Sequence, residues 1–118
     1  VKMDEIKYKM EMAKIYINER LTDDIDLEEL PKTLMMSYSS FRKCFKQMVG
    51  MPPGRYIQDL RLKEACRLLK TTNMSVKRVS VVTRFKSVTL FNCLFKKRVG
   101  YTPLAYRRKS RAAESTEK

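Results

Sequence analysis

Ser39, Arg42 and Lys43 face outward at the start of a helical stretch, 38 to 48, whose other side carries Phe41, Cys44, Phe45 and Met48. A guanidinium in that position presents a donor pair that matches the N7 and O6 acceptors of guanine, and a lysine reaches the same edge or grips a phosphate. Tyr38, Lys46 and Gln47 flank the triplet and suit contacts to a nucleic-acid backbone. A solvated basic face is the alternative for the whole set.

The same layout returns further along the chain. Ser37, Phe41, Phe45, Lys46, Val49, Gly50, Pro53 and Tyr56 recur at a constant offset of 50 as Ser87, Phe91, Phe95, Lys96, Val99, Gly100, Pro103 and Tyr106. Leu27 and Leu30 recur at 49, as Val76 and Val79, so the later copy has one extra residue in a turn. An internal repeat of this length is one supersecondary unit used twice. In the second copy the outward residues are Val88, Thr89, Asn92 and Cys93. Val88 suits a thymine methyl and Asn92 suits adenine, with simple surface filling as the alternative for each. Lys86, Lys96, Lys97 and Arg98 read as phosphate clamps, which set affinity and register without reading sequence.

Those side chains need helices to hold them, and the pattern supplies them. Ile6, Met10, Ala13 and Ile17 mark an amphipathic helix over 3–20. Asp26 with Glu29 forms a capping box for a short helix over about 26–34, in which Pro31 should kink or shorten the run. Ser37 caps the helix at 38–48, and Gly50 fits a left-handed end before Pro52 and Pro53. A central helix follows from Pro53 to about Lys70, with Tyr56, Ile57, Leu60, Ala65, Leu68 and Leu69 inward. Ser75 caps a short helix ending near Thr83, and Ser87 opens a helix over 88–98 with Phe91, Leu94 and Phe95 inward. A last short helix runs from Thr102-Pro103 to about Lys109, and the polar tail 110–118 lacks a packing face and reads as frayed. The organisation expected is therefore 1–52 (first helix plus first helix-turn-helix), 53–71 (linking helix), 72–109 (second helix-turn-helix) and 110–118 (tail). The pattern begins already helical at Val1, which reads as the C-terminal piece of a longer protein.

Composition narrows the partners. Gly 3 and Pro 4 in 118 residues, without apolar alternation, predict an all-α chain. The net charge of +13 is one-sided: residues 1 to 59 carry 10 basic and 10 acidic side chains, and residues 60 to 118 carry 16 and 3. Such an excess favours a polyanion through counterion release. No apolar run approaches the ~20 residues of a membrane span and no signal peptide is visible, so a soluble, cytoplasmic protein with no membrane partner is expected. Cys44, Cys66 and Cys93 form no CxxC pair and the chain has no His, which excludes a zinc site and leaves three small thiols in or beside apolar faces. No cofactor or metal is expected. No catalytic cluster or phosphate-cradling Gly loop is present, so an enzyme ranks far behind a binding module.

The stretch Met74-Ser-Val-Lys-Arg-Val through Phe85, Phe91, Phe95-Lys96-Lys97, Gly100-Tyr101-Thr102-Pro103 and Tyr106-Arg107-Arg108 resembles the DNA-binding domain of the arabinose-operon regulator (AraC/XylS) family, as does Tyr56-Ile57 … Arg61-Leu62 … Ala65 … Leu68-Leu69. The resemblance covers about residues 5 to 109. It implies about seven helices in two helix-turn-helix subdomains joined by a long central helix. It implies bacterial transcription regulation, usually activation, at the nucleoid, with double-stranded DNA as partner. RNA polymerase is a further partner, and an effector or dimerisation domain lies elsewhere in the parent chain. Ser39, Arg42 and Lys43 match the family's base-contacting positions, and Val88, Thr89, Asn92 and Cys93 match the second set. Arg61 resembles a position that orients the subdomains. Arg84 stands where the family prefers Gly; it either strains the turn or meets phosphate, and Arg107 and Arg108 are further phosphate candidates. The first helix is thus expected to specify and the second mainly to anchor. Non-specific nucleic-acid binding and a polymerase-docking module are the alternatives.

Overall fold

The computed structural model describes residues 3–116, and Glu117 and Lys118 of the tail lie outside the described residues. Among the described residues there are seven helices and no strand: α1 (Met3–Glu19), α2 (Glu29–Thr33), α3 (Tyr38–Val49), α4 (Pro53–Thr71), α5 (Val76–Val82), α6 (Val88–Val99) and α7 (Pro103–Thr116). Two compact units, Val1–Leu60 and Arg61–Lys118, divide the chain inside α4. The linking helix is therefore no separate segment: its first turns belong to one core and its later turns to the other.

In the first unit Met10, Ala13 and Ile17 of α1 meet Leu30, Phe41, Phe45 and Ile57 in one cluster. Phe41 and Phe45 are fully buried with ring centroids 5.7 Å apart, and Tyr56 stands edge-on to Phe45 at 5.3 Å. The Tyr56 hydroxyl accepts from Asn18 Nδ2 at 3.3 Å, which gives the ring's polar end a partner. The phenylalanines are core, as their spacing requires, and unavailable for stacking on single strands. Met48, expected on the core face, is instead 38% exposed, and its neighbour Val49 packs against the cluster.

Helix α2 resolves the conflict at Pro31 by starting late. Asp26 Oδ1 accepts from the amides of Glu28 (2.9 Å) and Glu29 (3.2 Å), so residues 27 and 28 form a turn and the helix begins at Glu29. Pro31 then falls in the first turn, where a missing N–H leaves no intrahelical bond unmade. Only half of the expected capping box is present, since the Glu29 carboxylate holds Lys32 at 3.2 Å.

The second unit repeats this plan with Leu62, Ala65, Leu68, Leu69, Val79, Phe91 and Phe95. Phe91 and Phe95 lie 5.6 Å apart and Tyr106 stands edge-on to Phe95 at 5.6 Å. Leu62 is buried at 4% although it was not expected on the inner face. The buried hydroxyls of Ser80 and Thr83 donate to the carbonyls of Lys77 and Val79, each at 2.6 Å.

The tail differs from expectation. Helix α7 continues to Thr116 in place of ending at Lys109. Arg111 Nη2 donates to the Thr72 carbonyl at 2.6 Å, and Lys70 pairs with Glu114 at 3.4 Å. Polar side chains, not an apolar face, tie this segment down. Among the thiols, Cys93 is exposed on α6, in line with its outward position in the repeat, whereas Cys44 and Cys66 are half-buried. Burial pushes the Cys66 thiol above its ordinary range, against the smaller opposing effect of its hydrogen bond with Tyr106.

Candidate nucleic-acid interface

Each unit presents one helix whose start is fixed by a serine and whose end is fixed by a glycine. Ser37 Oγ accepts from the Ser40 amide at 3.2 Å, and Ser87 Oγ accepts from the Leu90 amide at 3.0 Å. Both serines are extended, which satisfies an otherwise orphaned donor of the first turn. Gly50 and Gly100 close the helices at φ 95°, a left-handed geometry that costs a side-chain-bearing residue on the order of 1 kcal/mol. Their amides donate to Lys46 and Lys96 carbonyls at 3.0 Å. With both ends fixed, the side chains on the outer face have defined directions.

On α3 that face is Ser39, Arg42, Lys43, Lys46 and Gln47, all exposed, with Tyr38 43% exposed at the first position. The helix contains no Asp or Glu. Among the described residues no ion pair or hydrogen bond engages the side chains of Arg42, Lys43 or Lys46, whereas the cations elsewhere in this unit are largely paired. Lys9 meets Glu5 at 3.5 Å, Lys14 meets Glu11 at 3.4 Å, Lys32 meets Glu29 at 3.2 Å and Arg55 meets Asp59 at 3.0 Å. The unit's acids thus pair most of its other described cations and leave α3 as a cationic surface.

On α6 the corresponding positions are Thr89, Asn92 and Cys93, all exposed, with Val88 half-buried. Lys96 and Lys97 follow on the exposed side, and Arg98 is half-buried. Lys86 is exposed just before the cap. The helix again lacks acids, and the described acids of this unit are both engaged, Glu64 with Arg67 and Glu114 with Lys70. Arg108 is exposed on α7.

Arg84 has φ 65° in the turn between α5 and α6, so the position does require the left-handed region. Its counterpart at an offset of 49 is Met35, at φ 59° and 87% exposed in the turn before α3. The same offset that pairs Leu30 with Val79 would have found it.

Arg107 corrects the phosphate assignment. Its Nε donates to the Leu69 carbonyl at 2.8 Å, and its Nη2 donates to the carbonyls of Thr72 and Met74. Arg111 adds a bond to the Asn73 side chain at 3.3 Å beside its bond to Thr72. Two guanidinia therefore satisfy carbonyls in the last turn of α4 and in the loop that follows it, where positive charge is favourable. Burial, and then the charge of Arg111, lower the Arg107 pKa from its ordinary value. Arg111 was missed because it lies in the tail, although it repeats Arg61 at an offset of 50.

The helix-turn-helix domain model matches residues 30–109, the span that holds both capped helices. The chain belongs to the AraC/XylS family of helix-turn-helix transcription regulators. The AraC/XylS-type domain is similar to AarP of Providencia stuartii, an HTH-type transcriptional activator, with 31% identity over 79% of this chain and 69% of that protein. It is 29% identical to the transcriptional activator RhaR of Mannheimia succiniciproducens over 84% of this chain. This chain spans only 36% of the length of RhaR. Among solved structures, the DNA-binding domain of AdpA, determined in complex with a target DNA, is 28% identical with a TM-score of 0.82, covering 89% of this chain and 95% of that one. An AraC-type regulator from Chromobacterium violaceum shares the fold at a TM-score of 0.82 and 22% identity, over 88% of this chain and 93% of that one. The AraC/XylS-type chain is a DNA-binding, transcription-regulating module. No described helix is long and apolar enough to cross a membrane.

Proposed function

We propose that this domain binds duplex DNA sequence-specifically, with α3 as principal reader and α6 chiefly as anchor, and that its output is transcription activation. The observation that carries this reading is the exposed face of Ser39, Arg42 and Lys43, held on a helix capped at both ends and left without acidic partners among the described residues. Arg42 takes a guanine edge, Lys43 takes guanine or phosphate, and Ser39 accepts or donates at a neighbouring base. Tyr38, Lys46 and Gln47 hold the flanking backbone. Arg84, Lys86, Lys96, Lys97, Arg98 and Arg108 neutralise phosphates and set register. Activation is supported by the relatives named as activators. RNA polymerase, and an effector or dimerisation domain elsewhere in the polypeptide, are the partners the family resemblance implies.

Selection of bound duplexes from a random pool tests this, followed by affinities for the winner and a scrambled control near 0.15 M salt. Specific readout requires a preference of ~10³-fold or more. Equal affinity for the two DNAs, falling steeply with salt, would sink the reading. It would leave the basic excess of the second half as a non-specific polyanion binder.

A further inference from the structure

The first two turns of α6 carry no charge; the first cation of the helix is Lys96. Thr89, Asn92 and Cys93 are exposed there, with Val88 half-buried beside them. Charge-assisted bidentate recognition of guanine needs arginine or lysine at such positions. Helix α3 supplies both, and the α6 tip supplies neither. An asparagine amide offers one donor and one acceptor side by side, which complements N7 and N6 of adenine.

The surroundings of Asn92 point the same way. Val88 and Asn92 line an open groove together with Val76, Thr102, Pro103 and Leu104. Leu104 is 50% exposed, and the Thr102 hydroxyl oxygen already accepts from the Ala105 amide at 3.2 Å. A thymine C5 methyl loses water favourably against Val88 and its apolar neighbours. The exocyclic amino group of cytosine, placed there, would surrender a hydrogen bond to water with little to replace it.

We propose that the α6 tip selects an A·T pair, with Asn92 on the adenine edge and Val88, backed by Val76, Pro103 and Leu104, against the thymine methyl. This rests on duplex reading as proposed above and names its second element. The operator contains a guanine-bearing block for α3 and a separate A·T-bearing block for α6. Helix α6 then both anchors, through Lys96 and Lys97, and discriminates, through an uncharged tip.

The test begins with duplexes selected by the intact domain. Uracil is then substituted for thymine, one position at a time, which removes only the methyl group and needs no protein variant. One thymine in the second block should lose affinity severalfold on this change, and the loss should vanish in V88A. N92A should relax the adenine preference by ~10-fold while leaving the guanine block untouched. Enrichment of G·C pairs in the second block, or indifference to every uracil substitution there, would overturn the assignment. So would a single guanine-bearing block. Each of those results leaves readout by α3 standing, whereas a pool with no enriched block removes both readings together.

Discussion

The two helix-turn-helix units share their interiors and differ at their surfaces. Ser37 and Ser87 cap, Gly50 and Gly100 terminate at the same φ of 95°, and the paired phenylalanine rings lie 5.7 and 5.6 Å apart. Tyr56 and Tyr106 stand against the second ring of each pair at interplanar angles of 70° and 76°. On the outer faces the repeat dissolves. Arg42 and Lys43 correspond to Asn92 and Cys93, exposed Met35 corresponds to Arg84, and a neutral unit corresponds to one that carries all of the +13. One scaffold thus supports two electrostatic strategies. Unit one concentrates unpaired cations on one helix while most of its other described cations are paired, and unit two is basic on nearly every helix.

The shared interior makes the largest prediction. F45A and F95A should each cost about 3–5 kcal/mol in guanidinium unfolding followed by circular dichroism, because each empties an equivalent site. A gap wider than about 1.5 kcal/mol between them would show that the two cores tolerate a cavity differently.

Next come the surfaces. R42A should lower affinity for the selected duplex by about 1–3 kcal/mol and relax one guanine position, as read by titration against duplexes changed at that base. R107A should instead cost about 1–3 kcal/mol of stability by removing the side-chain donor from the Leu69 and Met74 carbonyls, while Thr72 keeps Arg111, and the salt dependence of DNA binding should not change. A shallower salt slope for that variant would return Arg107 to the phosphate contacts. By contrast, K96A and K97A should each reduce the slope of log affinity against log salt by about 1, with equal loss on selected and scrambled DNA.

The smallest effect separates the turns. M35G should stabilise the domain by about 1 kcal/mol by relieving a left-handed residue, without altering DNA affinity, since Met35 makes little packing contact at 87% exposure. R84G should relieve the same strain but weaken DNA binding, if the second turn uses its cation. Equal behaviour of the two variants on DNA would remove Arg84 from the interface.

Helix identity, most helix ends and both aromatic cores were legible in the residues, because their causes are local. A serine cap acts on an amide three residues on, a glycine ends its own helix, and core spacing follows the 3.6-residue turn. Pro31 does stand in a shortened helix, Glu29–Thr33, for an equally local reason. Its effect depends on its position within the helix, and the Asp26 turn moved the start of α2 by three residues relative to the expected boundary. The extension of α7 was not legible, since Arg111 and Glu114 find their partners at residues 70 to 73, far upstream.

The sequence alone therefore determined the doubled helix-turn-helix, the faces its helices bury, and the division of charge between its halves. Only the tertiary structure decided which cations remain outside. Arg42 and Arg107 are the same residue type, each carried on a helix. One is exposed with no acidic partner among the described residues, and the other lies against three carbonyls that the chain brings to it from 33 to 38 residues away. A charge is written at its own position, but what it binds depends on which groups folding carries within hydrogen-bond reach.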